Sequence, residues 1–123
     1  MPEDLALSDD DAIALAQQLL DAGRPFHAHE VLEAQWKASR DPAARACWQG
    51  LAQLAVGLTH EERGNAAGAQ ALVARGQARL AAAGEPDRPL PVDVAGVLAW
   101  AQAWLAGDRS RPLHLTPAVG GAP

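Results

Sequence analysis

"RPFHAHEVLEAQWK", residues Arg24 to Lys37, has the spacing of a half-buried helix with polar groups set into its apolar side. At roughly 100° per residue, Phe26, His29, Leu32, Glu33 and Trp36 share one face, with Ala28 extending it and Glu30 at its edge. His27 and Lys37 point towards solvent. One helical turn separates His29 from Glu33. A carboxylate is almost never buried alone, because an unpaired charge out of water costs several kcal/mol or takes up a proton. The stretch therefore predicts a helix whose His29 and Glu33 meet partners in a seam with the next helix.

The punctuation on either side supports an all-helical chain. Ser8 can cap a first helix that carries Asp9, Asp10 and Asp11 in its first turn, with Ile13, Ala16, Leu19 and Leu20 on its apolar side. Gly23 ends it, and Pro25 suits the first turn of the second helix, which runs to about Ser39. Asp41-Pro42 is a capping residue followed by proline, opening a long third helix that reaches Arg63 before Gly64. Asn65 caps a fourth helix ended by Gly84. After the loop "GEPDRPLP", Val94, Val97, Leu98, Ala101, Trp104 and Leu105 mark a fifth, closed by Gly107. No segment sustains period-two alternation, so no sheet is expected. The fold class predicted is a compact bundle of five helices built from antiparallel hairpins, a single domain over residues 1–107. Residues 108–123 are expected to form an extended tail in which Leu113 and Leu115 can dock, with the last few residues disordered.

Composition narrows the function. The chain has 123 residues and a net charge of −5, with 10 basic side chains scattered through it. A nucleic-acid partner would need a basic face, so none is expected. No apolar run approaches the length of a membrane span, and the acidic start "MPEDLALSDDD" is unlike a signal peptide, so the expected location is cytoplasmic. Cys47 is the single cysteine, which excludes a disulfide framework and predicts a buried, inert thiol. A phosphate-binding Gly-rich loop, a GxSxG elbow and a Cys/His nucleophile pair are all missing. A second copy of the chain is a candidate partner should Trp100 stand exposed.

Partners for the polar pair are expected on the third helix, where Gln49, Gln53 and His60 run down one stripe. An antiparallel hairpin turning near residue 40 sets Glu33 opposite Trp48 or Gln49, and His29 opposite Ala52 or Gln53. His60 falls about two turns beyond, near the loop between the first two helices. Three readings fit. The pair can belong to a hydrogen-bond network that fixes helix register. It can supply two ligands, one turn apart, to a divalent ion such as zinc or manganese, with Glu30 or His60 as the third. Or it can be the acid–base pair of a small-molecule pocket walled by tryptophans, including Trp36. A catalytic version would be hydrolytic, with Glu33 as base or ligand and His29 as ligand or proton carrier. The rival is a non-enzymatic module in which the cluster is structural and another groove binds a protein.

"AGRPFHAHEVLEAQWKAS", then "WQGLAQLAVGLTHEERGNAAGAQALVARGQARL", resembles the bacterial and archaeal helical family known as domain of unknown function 309. The resemblance spans residues 22 to 80 through several separated motifs in the same order. It implies a small all-α bundle and assigns no activity. Carried over position by position, it marks His29, Glu30, Glu33, Gln49, Gln53 and His60, with Trp36 beside them. His27 stands where many members have glutamate.

Overall fold

The computed structural model describes residues 7–117. Five helices follow in order: α1 (Asp9–Asp21), α2 (Pro25–Ala38), α3 (Pro42–Glu62), α4 (Ala66–Ala81) and α5 (Val94–Leu105), with no strand among the described residues. Their starts are chemically specified. The Asp11 amide donates to Ser8 Oγ (3.1 Å), the Gly68 amide to Asn65 Oδ1 (3.0 Å) and the Gly96 amide to Asp93 Oδ1 (3.0 Å). Each bond satisfies one of the amides a helix start leaves free. Asp41 departs from its expected capping role. It occupies the N-cap position of α3, but its Oδ2 accepts the Asp87 amide at 2.8 Å, tying the proline-rich loop to the α2–α3 corner. Gly23 and Gly64 end α1 and the α3 hairpin arm at φ 73° and 79°, where a side chain would be strained.

α3 is the central helix. It packs most extensively on α4 and next on α2, while α1 lies on α2 and α5 on α4. The α3–α4 seam is lined by small residues. A Cβ on Gly50 would lie 3.1 Å from Gly76 O, and one on Gly57 would lie 2.7 Å from Val73 Cγ2. The other side of α3 inserts Trp48 and Leu51 into a core shared with Ile13, Leu32, Val97 and Leu115, while Leu54 packs against Gly76 in the α4 seam.

The segment after α5 belongs to that core. Leu113 and Leu115 are buried. The Gln17 side chain grips the backbone at both, donating from Nε2 to Leu113 O (3.0 Å) and accepting the Leu115 amide at Oε1 (2.7 Å). The Asp93 amide donates to Leu115 O at 2.8 Å. The expected disorder of the last residues, and the acidic stretch before Leu7, lie outside the described residues. No helix among the described residues is long and apolar enough to cross a membrane.

Cys47 is 3% exposed, and burial pushes its thiol pKa up to about 11. Because the raised value favours the neutral thiol in the folded state, the associated stability is complete below the unfolded pKa of 9.0 and is lost as pH rises through 11. Native protein at pH 8 is expected to resist iodoacetamide for hours and to label within minutes in denaturant, as followed by mass spectrometry.

Candidate functional site

On α2 the buried residues are Pro25, Ala28, Leu32 and Gln35. Their centre lies roughly 80° around the helix from His29 and roughly 120° from Glu33. The expected apolar face was therefore turned too far towards the polar pair. Phe26, expected in the core, is 43% exposed. The reason is that α2 is squeezed between α1 and α3, so its seam points between those neighbours. Gln35, absent from the expected site, is buried in that seam because its Nε2 donates to Asp9 Oδ1 at 3.0 Å.

His29 and Glu33 do meet. His29 Nε2 lies 3.8 Å from Glu33 Oε1, and Lys37 Nζ lies 3.8 Å from Glu33 Oε2. The side chains are 21% and 34% exposed, which puts the pair on the rim of the α2–α3 seam. Phe26 packs beside His29 with ring centroids 5.8 Å apart, and the Arg63 guanidinium sits 5.8 Å over Phe26. Glu30 is exposed. Trp36 is half-buried, with Arg45 5.9 Å above its ring, and Arg45 Nη1 also donates to the carbonyls of Trp36 and Ser39 (3.3 Å each). These bonds set Arg45 level with Trp36. The antiparallel register then places Glu33 level with Trp48 and His29 level with Ala52.

The other motif residues point elsewhere. Gln49 is half-buried. Gln53 lines a shallow depression with Arg75 and Arg79 of α4. His60 turns to the α3–α4 corner, its Nδ1 3.1 Å from Asn65 Nδ2, and a Cβ added at Gly68 would stand 3.1 Å from its ring. Among the described residues no three His, Cys, Asp or Glu side chains converge as a metal site would require. His29 and Glu33 supply two donors, but neither Glu30 nor His60 completes a set, so the residues do not fit a resident zinc or manganese ion. Three polar atoms are buried without a hydrogen-bond partner among the described residues: His29 Nδ1, Trp48 Nε1 and Gln53 Oε1.

A different concavity is better formed. A cleft of about 450 Å³ opens between the α1–α2 turn, the end of α3, α5 and the segment after it. The helices and turn supply Trp100, Trp104, Leu58 and three carboxylates, Asp21, Glu61 and Glu62; the following segment supplies Arg109 and Arg111. The two indoles lie 6.3 Å apart. Trp100 is 6% exposed because its Nε1 donates to Arg111 O at 2.8 Å under the covering segment, so the exposed tryptophan that would mark a dimer face is not found. The Arg109 guanidinium lies 3.5 Å from the Trp104 ring centre, donates from Nε to Glu61 Oε2 at 3.1 Å and from Nη1 to Trp104 O. Arg111 pairs with Asp108 at 3.3 Å. Hydrogen bonds from the Ser110 hydroxyl and amide, with Arg111 nearby, hold the Asp108 carboxyl below its usual range. No signal along one helix marks this cleft, since its walls come from both ends of the chain. The nearest sequence clue is a Trp pair four residues apart, followed closely by two arginines.

The model of the family described as "Domain of unknown function (DUF309)" matches residues 13–72. Over that stretch, just under half of its length, the chain is similar to this family. The DUF309 match begins inside α1, earlier than the motifs alone indicate, and ends in α4, so it contains the His29–Glu33 pair but stops short of Trp100, Trp104 and Arg109. A Bacillus subtilis (strain 168) protein described as "Uncharacterized protein YpuF" is 45% identical over 49 residues, which is 40% of this chain and 28% of that protein. The alignment thus spans little more than a quarter of the relative's length. No solved structure matches the chain significantly.

Proposed function

We propose that this chain is a non-enzymatic helical binding module that takes its ligand in the cleft between the α1–α2 turn, α5 and the segment after it. On this reading the His29–Glu33 pair is structural. The observation that carries it is the contrast between two regions. The motif's polar side chains are dispersed: Glu33 is shared between His29 and Lys37, Gln53 faces α4, and His60 bonds Asn65. The cleft has convergent polar groups, aromatic walls and a volume within the range of roughly 300–1,000 Å³ usual for ligand sites. The test is a fragment screen on isotope-labelled protein, read by NMR. Hits are expected to move the indole N–H signals of Trp100 and Trp104, and to do so equally in Glu33→Ala. Hits that cluster on His29 and vanish in that variant would overturn the reading. Because the pair is a half-exposed contact one helical turn long, Glu33→Ala is expected to cost only about 0.5 kcal/mol in urea unfolding.

A second reading has one observation in its favour. His29 Nδ1 is buried without a partner while Nε2 faces Glu33, so the imidazole is oriented but not satisfied. A small ligand that hydrogen-bonds there would use Glu33 as base and His29 as proton carrier, and hydrolysis is the chemistry such a pair serves best. Fragment hits that shift the His29 ring signals of the wild type and are lost in His29→Ala would support it.

A further inference from the structure

The cleft carries charge in an uneven way. Everything the helices and the α1–α2 turn contribute is apolar, aromatic or acidic, and every base in it comes from the segment that crosses it. Remove Arg109 and Arg111 in thought, and two indoles stand beside Asp21, Glu61 and Glu62. That is the chemistry of a receptor for an organic cation: ring faces attract positive charge, and carboxylates accept hydrogen bonds from it. Arg109 shows how such a cation sits. Its guanidinium carbon lies 3.5 Å from the Trp104 ring centre, and its Nε bonds Glu61 on a different helix. A planar guanidinium suits stacking and fork-like hydrogen bonding better than a compact ammonium.

We propose that the cleft binds an arginine side chain of a partner polypeptide, and that Arg109 is the chain's own occupant of that position. The proposal rests on the binding-module reading and names the ligand class for the same site. A partner arginine would replace Arg109 over Trp104 and against Glu61, with Asp21 and Glu62 left to meet neighbouring positive charge. A polypeptide is favoured over a free small molecule because the resident occupant is itself an arginine in an extended segment. Backbone contacts flank it, from Asp108 N to Ala103 O (2.9 Å) and from Trp100 Nε1 to Arg111 O. Its side chain is 40% exposed, so it can leave without unpacking Leu113 and Leu115. The resident arginine lowers the apparent affinity for an incoming one by the fraction of time the site is open.

The test uses the full chain and the peptide acetyl-Gly-Gly-Arg-Gly-Gly-amide, titrated while the Trp100 and Trp104 indole N–H signals are followed. Saturable shifts are expected, with affinity raised about tenfold in Arg109→Ala and in Arg109→Gln, because the competing occupant is gone. Glu61→Gln is expected to weaken binding about tenfold. A peptide with citrulline in place of arginine keeps the shape without the charge and should not bind. If Arg109 served only to cap the end of α5, its removal would lower stability and leave peptide affinity unchanged. That result, or equal binding of the citrulline peptide, would overturn the proposal. Free arginine binding as tightly as the peptide would overturn the assignment to a polypeptide. Should fragments reach the cleft while the arginine peptide does not, the module reading survives and this one fails.

Discussion

Trp48→Ala is expected to lower the unfolding free energy by about 3–5 kcal/mol, while Trp48→Phe should cost about 1 kcal/mol or less. Trp48 is 0% exposed and is the largest fully buried side chain among the described residues. It sits on the face of α3 away from the α4 seam, among the residues shared by the helices and the docked segment. Truncation to alanine removes most of that contact surface and leaves a cavity that rigid helices cannot close. Phenylalanine fills much of the same space. It also removes an indole N–H that is buried without a partner among the described residues, a burial that costs roughly 1–3 kcal/mol. The lost ring volume and the relieved donor therefore oppose each other. Urea unfolding of the three proteins gives the comparison directly. If phenylalanine were as damaging as alanine, the N–H would have to be satisfied in solution, by water reaching the seam between α2 and α3.

The helices were legible in the sequence because their signals are local. Ser8, Asn65, the glycines at the helix ends and the prolines at the first turns each act within a few residues, and the structure places helix boundaries where they fall. Asp41 was misread because its competitor, the Asp87 amide, is remote in sequence. The face of α2 was legible only to within a turn. Phe26 and Trp36 bracket His29 and Glu33, so large aromatics drew the apparent apolar face towards the pair. The buried seam in fact follows Ala28 and Gln35, a small residue and a polar one whose burial depends on Asp9. The cleft could not be read at all. It joins Asp21 to Arg109, and the segment that covers it has no period because its order comes from Gln17, which meets two backbone groups nearly a hundred residues away. Local codes reveal elements, while sites assembled from distant elements need the packing.

The second large effect concerns that packing. Gly76→Val is expected to destabilise the protein by about 3 kcal/mol or more, and Gly76→Ala by about 1–2 kcal/mol. Alanine in place of glycine inside a helix normally gains about 1 kcal/mol. Here a Cβ would stand 2.8 Å from Gly50 O and 2.8 Å from Leu54 Cδ2, and the first of these is backbone that cannot swing aside. Overpacking at roughly 1–3 kcal/mol outweighs the propensity gain, and the second branch of valine enlarges the clash. The helices can relieve it only by moving apart. α5 rides on α4, whereas Glu61 belongs to α3, so separation of α3 from α4 draws the Trp104 and Glu61 walls of the cleft away from each other. The 3.1 Å bond from Arg109 to Glu61 bridges that gap. Gly76→Ala should thus shift the Trp104 indole signal even where the protein remains folded by circular dichroism. An unshifted signal together with undiminished stability would mean that the α3–α4 seam has slack, and that the cleft is not held open by it.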